Sequence, residues 1–115
     1  MRHHNSNRKF GRVRKVRDGL LKSLALAHVL EGKIKTTDAK ARELKPYAEK
    51  MITTGRTNTV ASKRLLVSRI GALGANKIMK DISPKYLDRK GGYTRITKLP
   101  ARKSDGSLMA VIEFV

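Results

Sequence analysis

The sequence predicts an α+β fold in two layers, with elements in the order α-β-α-α-α-β-β. Apolar residues recur at helical spacing through roughly the first two thirds of the chain. From Tyr93 onward the pattern changes to alternation, and Leu108–Val115 is almost wholly apolar. A strand apolar on both faces is expected to be covered on both. Leu108–Val115 is therefore predicted as the central strand of a small three-stranded mixed sheet. Lys33–Thr37 and Tyr93–Lys98 flank it, and helices cover at least one face.

The elements follow in order. Residues 1–13 carry Arg2, Arg8, Lys9 and Arg12, no acid and few apolar groups. Such a segment buries too little surface to offset its ordering entropy. The chain is thus read as one domain over residues 1–115. Its basic arm (1–13) is expected to be disordered when free, ahead of a folded body (14–115). In Arg14–Glu31, Val16, Leu20, Leu24 and Ala27 form a stripe that Leu21 and Leu30 widen, and Gly32 stops the helix. Thr37 reads as the cap of a second helix, with Asp38 in its first turn. Ala41, Leu44, Ala48, Met51 and Ile52 are its inward face. Pro46 is expected to kink or split it, and Gly55 to close it. A third helix is expected from about Asn58 to Arg69, with Val60, Ala61, Leu65 and Leu66 facing inward. After Gly71 and Gly74, one face is formed by Ala75, Ile78, Met79 and Ile82, stopped by Ser83-Pro84. The final hairpin carries the turn-rich basic tip P-A-R-K-S-D-G.

Charge points to the partner. The chain has 115 residues with 27 Lys and Arg against 9 Asp and Glu, a formal net charge of +18. So much like charge repels itself in a compact body, and solubility alone needs far less. A polyanion explains it: each phosphate contact releases a counterion, so many cations sum to useful affinity. With no Cys, disulfides, cysteine-zinc sites and thiol catalysis are excluded. No apolar run is long enough to span a bilayer. The apolar stretch after the arm is interrupted by Lys22 and His28 and lacks an A-x-A-like cleavage site, so it is read as core rather than leader.

No P-loop, nucleophile elbow or close carboxylate pair is visible, and no enzyme activity, cofactor or metal is expected. His3 and His4 are adjacent and supply two ligands at most. They read, with Asn5, as hydrogen-bond donors beside phosphates, and His28 reads as structural. Four basic constellations are candidate RNA contacts. The first is the arm and its continuation: Arg2, His3, His4, Asn5, Arg8, Lys9, Arg12, Arg14, Lys15 and Arg17. The second is Arg89, Lys90, Gly91, Gly92, Tyr93, Thr94 and Arg95. Here paired glycines allow close backbone approach to a phosphate and Tyr93 offers a ring to stack, although a bend before a strand is the commoner use of such a pair. The third is Arg102 and Lys103, with Lys98, at the hairpin tip. The fourth is Thr36, Thr37 and Lys40, with Arg42, at a helix N-terminus, a ready anion site. Lys63-Arg64 reads as a solvated helix face. Aromatic residues are only 4% of the chain, too few for a series of stacking platforms, so backbone and shape recognition of folded RNA is expected.

Several segments together carry a family resemblance. They are M-R-H at Met1–His3, I-K-T-T-D-A-K-A-R-E-L at Ile34–Leu44, A-E-K-M-I-T at Ala48–Thr53, G-G-Y-T-R-I at Gly91–Ile96 and the closing M-A-V-I-E-F-V. In this order, over essentially the whole chain, they resemble the L-seventeen family of bacterial large-subunit ribosomal proteins. The resemblance implies a structural, non-catalytic role on 23S-type rRNA in the cytoplasmic ribosome, near the exit-tunnel region on the solvent side. It implies neighbouring large-subunit proteins as further partners, with no membrane and no small-molecule substrate. The arm and the Gly91–Arg95 segment would face RNA. Two other readings compete: a free basic DNA-binding architectural protein, and a membrane-active amphipath built on the first helix.

Overall fold

The structure is a computed structural model, described here for His3 and residues 8–115. Most of the arm's first seven residues thus lie outside the described set, and so does the expectation of disorder placed on them. The elements are α1 (Arg14–Glu31), β1 (Lys33–Thr37), α2 (Asp38–Arg56), α3 (Val60–Ile70) and α4 (Ala72–Lys77). A π-helical turn (Ile78–Ile82) and a 3-10 turn (Ser83–Tyr86) lead on to β2 (Thr94–Leu99) and β3 (Met109–Phe114).

The sheet order is β1-β3-β2, so the C-terminal strand is central. The expected mixed sheet is corrected: both pairings of β3 are antiparallel. The direction of β1 is set where it ends. Thr37 runs straight into α2, and the Asp38 N–H donates to the Leu108 carbonyl at 2.9 Å, which seats the end of β1 beside the start of β3. Nor is β3 equally covered on both faces. Ala110 and Ile112 are buried, while Val111 and Glu113 are only partly so. Directly opposed residues share a face. Ile34, Ile112 and Ile96 therefore meet the helices, while Lys33, Lys35, Arg95 and Thr97 are exposed on the other side.

The α2 helix is the hub of the core. Thr37 caps it, its hydroxyl oxygen accepting from the Lys40 N–H at 3.4 Å. Ala41, Leu44, Ala48, Met51 and Ile52 are all buried, as their spacing predicts. Pro46 does not split the helix. Pro46 and Arg42, whose carbonyl loses its N–H partner, both lie on the exposed side of the helix. Gly55 does not end the helix either, which continues to Arg56. Its role is close approach. A Cβ there would lie 2.5 Å from Ser83 Oγ and 2.9 Å from Ile78 Cγ2. Ser83 Oγ in turn donates to the Ile52 carbonyl at 3.1 Å, binding the 3-10 turn to α2.

Two inward faces differ from expectation. On α1 the buried residues are Ala25, His28 and Val29, with Leu20, Leu21, Leu24 and Leu26 partly covered, while Val16, Ala27 and Leu30 are exposed. The leucines span so much of the circumference that periodicity alone does not choose the side. On α3, Ser62, Leu66 and Ile70 face inward, and Val60, Ala61 and Leu65 do not. Thr59 caps this helix through the Ser62 N–H at 3.1 Å, starting it two residues later than Asn58. Ser83-Pro84 is not the stop either: the α-helical part ends at Lys77 and widens into the π turn, and Pro84 sits within the 3-10 turn.

His28 is fully buried and stacks on Phe114 with ring centroids 4.0 Å apart. Neither ring nitrogen has a hydrogen-bond partner among the described residues. Burial lowers its pKa from 6.5 to about 4. The folded chain therefore holds His28 neutral while the unfolded chain protonates it. Its stability is full above pH 6.5 and falls as pH drops toward 4. Denaturant melts of the chain and of His28→Phe across that window should diverge by about 3 kcal/mol at the acid end. Parallel curves would remove His28 as the cause. Gly55→Ala should cost about 1–3 kcal/mol by overpacking against Ser83 and Ile78, read from a urea melt. A wild-type midpoint would mean that the α2 contact yields freely.

Candidate nucleic-acid interface

Five ion pairs occur among the described residues: Arg8–Glu43 (3.2 Å), Arg14–Asp18 (3.9 Å), Arg42–Asp38 (3.1 Å), Arg95–Glu113 (2.7 Å) and Arg102–Asp105 (3.1 Å). All use Arg, and no described Lys has a carboxylate partner. The chain's own acids thus leave most of its cations unneutralised at the surface. Such surface pairs contribute little to stability, and apart from Arg56, which bonds Tyr93 and the Leu87 carbonyl, few of the remaining cations are tied into the fold.

The first constellation is only partly assembled. Arg2, His4 and Asn5 lie outside the described residues, and His3 is exposed. Before α1 the chain turns tightly, with positive φ at Phe10 (54°) and Gly11 (63°). The Arg12 N–H donates to the Lys9 carbonyl at 3.1 Å, and Arg12 Nη1 to the Phe10 carbonyl at 2.6 Å. This turn lays Arg8 back over α2, where it meets Glu43. Arg8, Lys9 and Arg17 thereby share one groove of about 500 Å³ with Lys50 of α2 and Arg69 of α3. Arg12, Arg14 and Lys15 remain exposed. Sequence reasoning missed Lys50, Arg69 and Tyr47, which also lines this groove. Tyr47 and Lys50 stand three apart on α2 and share a face, a signal available in the sequence. Arg69 comes from another helix, and nothing in its local sequence announces it.

The second assembled patch is the open side of the sheet. The register sets Lys33 and Arg95 on either side of Glu113. Arg95 donates twice to Glu113 Oε1, from Nε at 3.1 Å and Nη2 at 2.7 Å. These bonds, with the nearby charges of Arg95 and Lys33, hold the Glu113 carboxyl below the usual range. Lys35, Arg102 and Lys103 line a second groove of about 500 Å³ with Leu99, Pro100 and Met109. The hairpin tip is shaped by Asp105, whose Oδ1 accepts from the Ser107 N–H at 3.0 Å and from Arg102 Nε at 3.1 Å. The Ser107 and Arg102 bonds lower its pKa. Lys33 and Lys35 were missed, although two-residue spacing in a strand places them on one face.

The glycine loop corrects two expectations. Tyr93 precedes β2 and is 1% exposed, so its ring is not presented for stacking. Its hydroxyl accepts from Arg56 Nη1 at 2.7 Å and donates to the Arg89 carbonyl at 3.0 Å, and the ring tilts against Tyr86 at 5.1 Å. Thr94 is 4% exposed and occupied by Glu49, whose Oε1 accepts from Thr94 Oγ1 at 3.0 Å and N–H at 3.4 Å. Both residues secure the loop to α2. Arg89 Nε donates to the Gly91 carbonyl at 3.1 Å, and Gly92 adopts φ 64°, which favours glycine. Arg89, Lys90 and Arg95 are the exposed cations of this segment.

The fourth constellation is partly engaged within the fold. Thr36 and Lys40 are half-buried, and the N-terminus of α2 is filled by its own Thr37 cap and Asp38. An incoming anion would meet the Asp38 carboxylate, which Arg42 already partners.

Residues 20–115 match the family described as "Ribosomal protein L17". Curated relatives named "Large ribosomal subunit protein bL17" align over all of this chain. The protein from Gemmatimonas aurantiaca is 42% identical with 98% of its own length covered. That from Persephonella marina is 43% identical with 95% covered. That from Campylobacter jejuni is 45% identical with 99% covered. With its cationic surface and small α+β body, the chain belongs to the ribosomal protein L17 family.

Proposed function

We propose that this chain is a structural, non-catalytic constituent of the large ribosomal subunit that binds 23S-type rRNA through phosphate and shape contacts. One observation carries the reading: the cations of the described residues far outnumber their carboxylate partners, and they cluster on two faces. The relatives' names place those proteins in the large ribosomal subunit. The arm and the start of α1 supply Arg8, Lys9, Arg12, Arg14, Lys15 and Arg17, joined by Lys50 and Arg69. The sheet side supplies Lys33, Lys35, Arg95, Arg102 and Lys103, with Lys90 beside it. Arg side chains clamp phosphate oxygens with two donors, and Lys acts as a point charge. Neighbouring ribosomal proteins complete the surroundings.

Filter binding to deproteinised large-subunit rRNA across a salt series tests this reading. Removing residues 1–12 should weaken binding and flatten the salt dependence by several units of slope, on the order of one per lost phosphate contact. An unaltered slope would show that the arm contributes nothing. Preference for duplex DNA over rRNA at moderate salt would instead identify a free DNA-binding protein. Arg95→Ala should weaken rRNA binding with a slope smaller by about one, and its denaturation midpoint should stay close to the parent's because a surface ion pair contributes little. A large fall in stability would assign Arg95 to the fold.

A further inference from the structure

The groove beneath Arg8 and Lys9 has a composition that phosphate binding alone does not explain. It lies between the end of the arm, α1, α2 and α3, and its volume of about 500 Å³ suits a small organic group. Pro46, Tyr47 and Leu21 give it an apolar wall. Arg17, Lys50 and Arg69, each from a different helix, bring positive charge to it. Two carboxylates, Asp18 and Glu43, also line it. Carboxylates repel phosphate, but they accept hydrogen bonds from the amino edge of a base.

Tyr47 distinguishes this groove from the rest of the surface. Tyr86 and Tyr93 are buried, at 5% and 1% exposure, whereas Tyr47 is partly exposed. Its hydroxyl donates to the Arg69 carbonyl at 3.1 Å, which fixes the ring between α2 and α3. Burial raises its pKa above the ordinary value, so at neutral pH the ring is uncharged. A fixed neutral aromatic ring beside cations is the combination that holds an unstacked base and its phosphate.

We propose that this groove receives one unpaired nucleotide of the bound RNA. Its base lies against Tyr47 and its phosphates on Arg17, Lys50 and Arg69. Asp18 and Glu43 favour a base with an amino edge: adenine, guanine or cytosine. The assignment rests on the rRNA-binding reading and adds to it a single base contact in an otherwise backbone-reading surface.

The test uses the full chain with deproteinised large-subunit rRNA. Tyr47→Leu should weaken binding roughly tenfold, the loss expected for one base–aromatic stack, and leave the salt slope unchanged because no phosphate contact is lost. Tyr47→Phe keeps the ring and should bind within about twofold of the parent. Lys50→Ala should instead lower the slope by about one. Ultraviolet crosslinking of the unaltered chain should join Tyr47 to one nucleotide outside a duplex, a readout independent of whether any variant folds. Full affinity in Tyr47→Leu, an equal loss in Tyr47→Phe, or crosslinks confined to the arm and hairpin tip would overturn the assignment. If the unaltered chain fails to bind rRNA at all, the broader functional reading fails with it. Tight rRNA binding without a Tyr47 contact removes this inference alone.

Discussion

The packing of α2 against one face of the sheet is the contact on which the remaining structure depends. Leu44, Met51 and Ile52 share the core with Ile112 of the central strand. The same helix receives the polar ties that position everything around it. Glu49 holds the start of β2 through Thr94, Arg56 holds the Tyr93 loop, and the Ile52 carbonyl holds Ser83. Gly55 sets the distance at which the π and 3-10 turns can approach. A chain of this size has one small core, so its loops depend on such anchors rather than on extensive burial of their own.

That economy explains how a chain with +18 formal charge holds a folded body. The apolar groups that matter are gathered between α2, its neighbouring helices and one sheet face. The cations are displaced to the arm, the outer helix faces and the open sheet side. The described carboxylates are spent locally. Asp38 and Asp105 shape a helix start and a hairpin tip, Glu49 secures a strand, and Glu113 orients Arg95. Asp18 and Glu43 pair with Arg14 and Arg8, and Glu31, Asp81 and Asp88 are too few to neutralise the surface, so under the proposed function a polyanionic partner would complete the electrostatics that folding leaves unfinished.

The candidate residues that the fold itself engages share a physical cause. Tyr93, Thr94 and Thr37 are polar groups in a glycine loop or at a helix cap, where local sequence suits a ligand and the protein's own backbone equally well. In each case an internal partner takes the group: Arg56 and the Arg89 carbonyl for Tyr93, Glu49 for Thr94, the Lys40 amide for Thr37. The exposed residues on α1 and α3 have a different origin. Leu, Ala and Val surround those helices so widely that several faces satisfy the same periodicity, and the neighbours available decide which is covered.

By itself, the sequence determined the α+β class, the inward face of α2, the central placement of the last strand and the cationic character of the surface. Each depends on local periodicity, on composition, or on an apolar run too long for an edge. Tertiary structure alone decided the antiparallel direction of β1 and the close approach at Gly55. It also decided the grouping of Arg8, Arg17, Lys50 and Arg69 around Tyr47. These depend on which distant segments meet, and residues from the arm and three helices acquire a common role only once the core has brought their elements together.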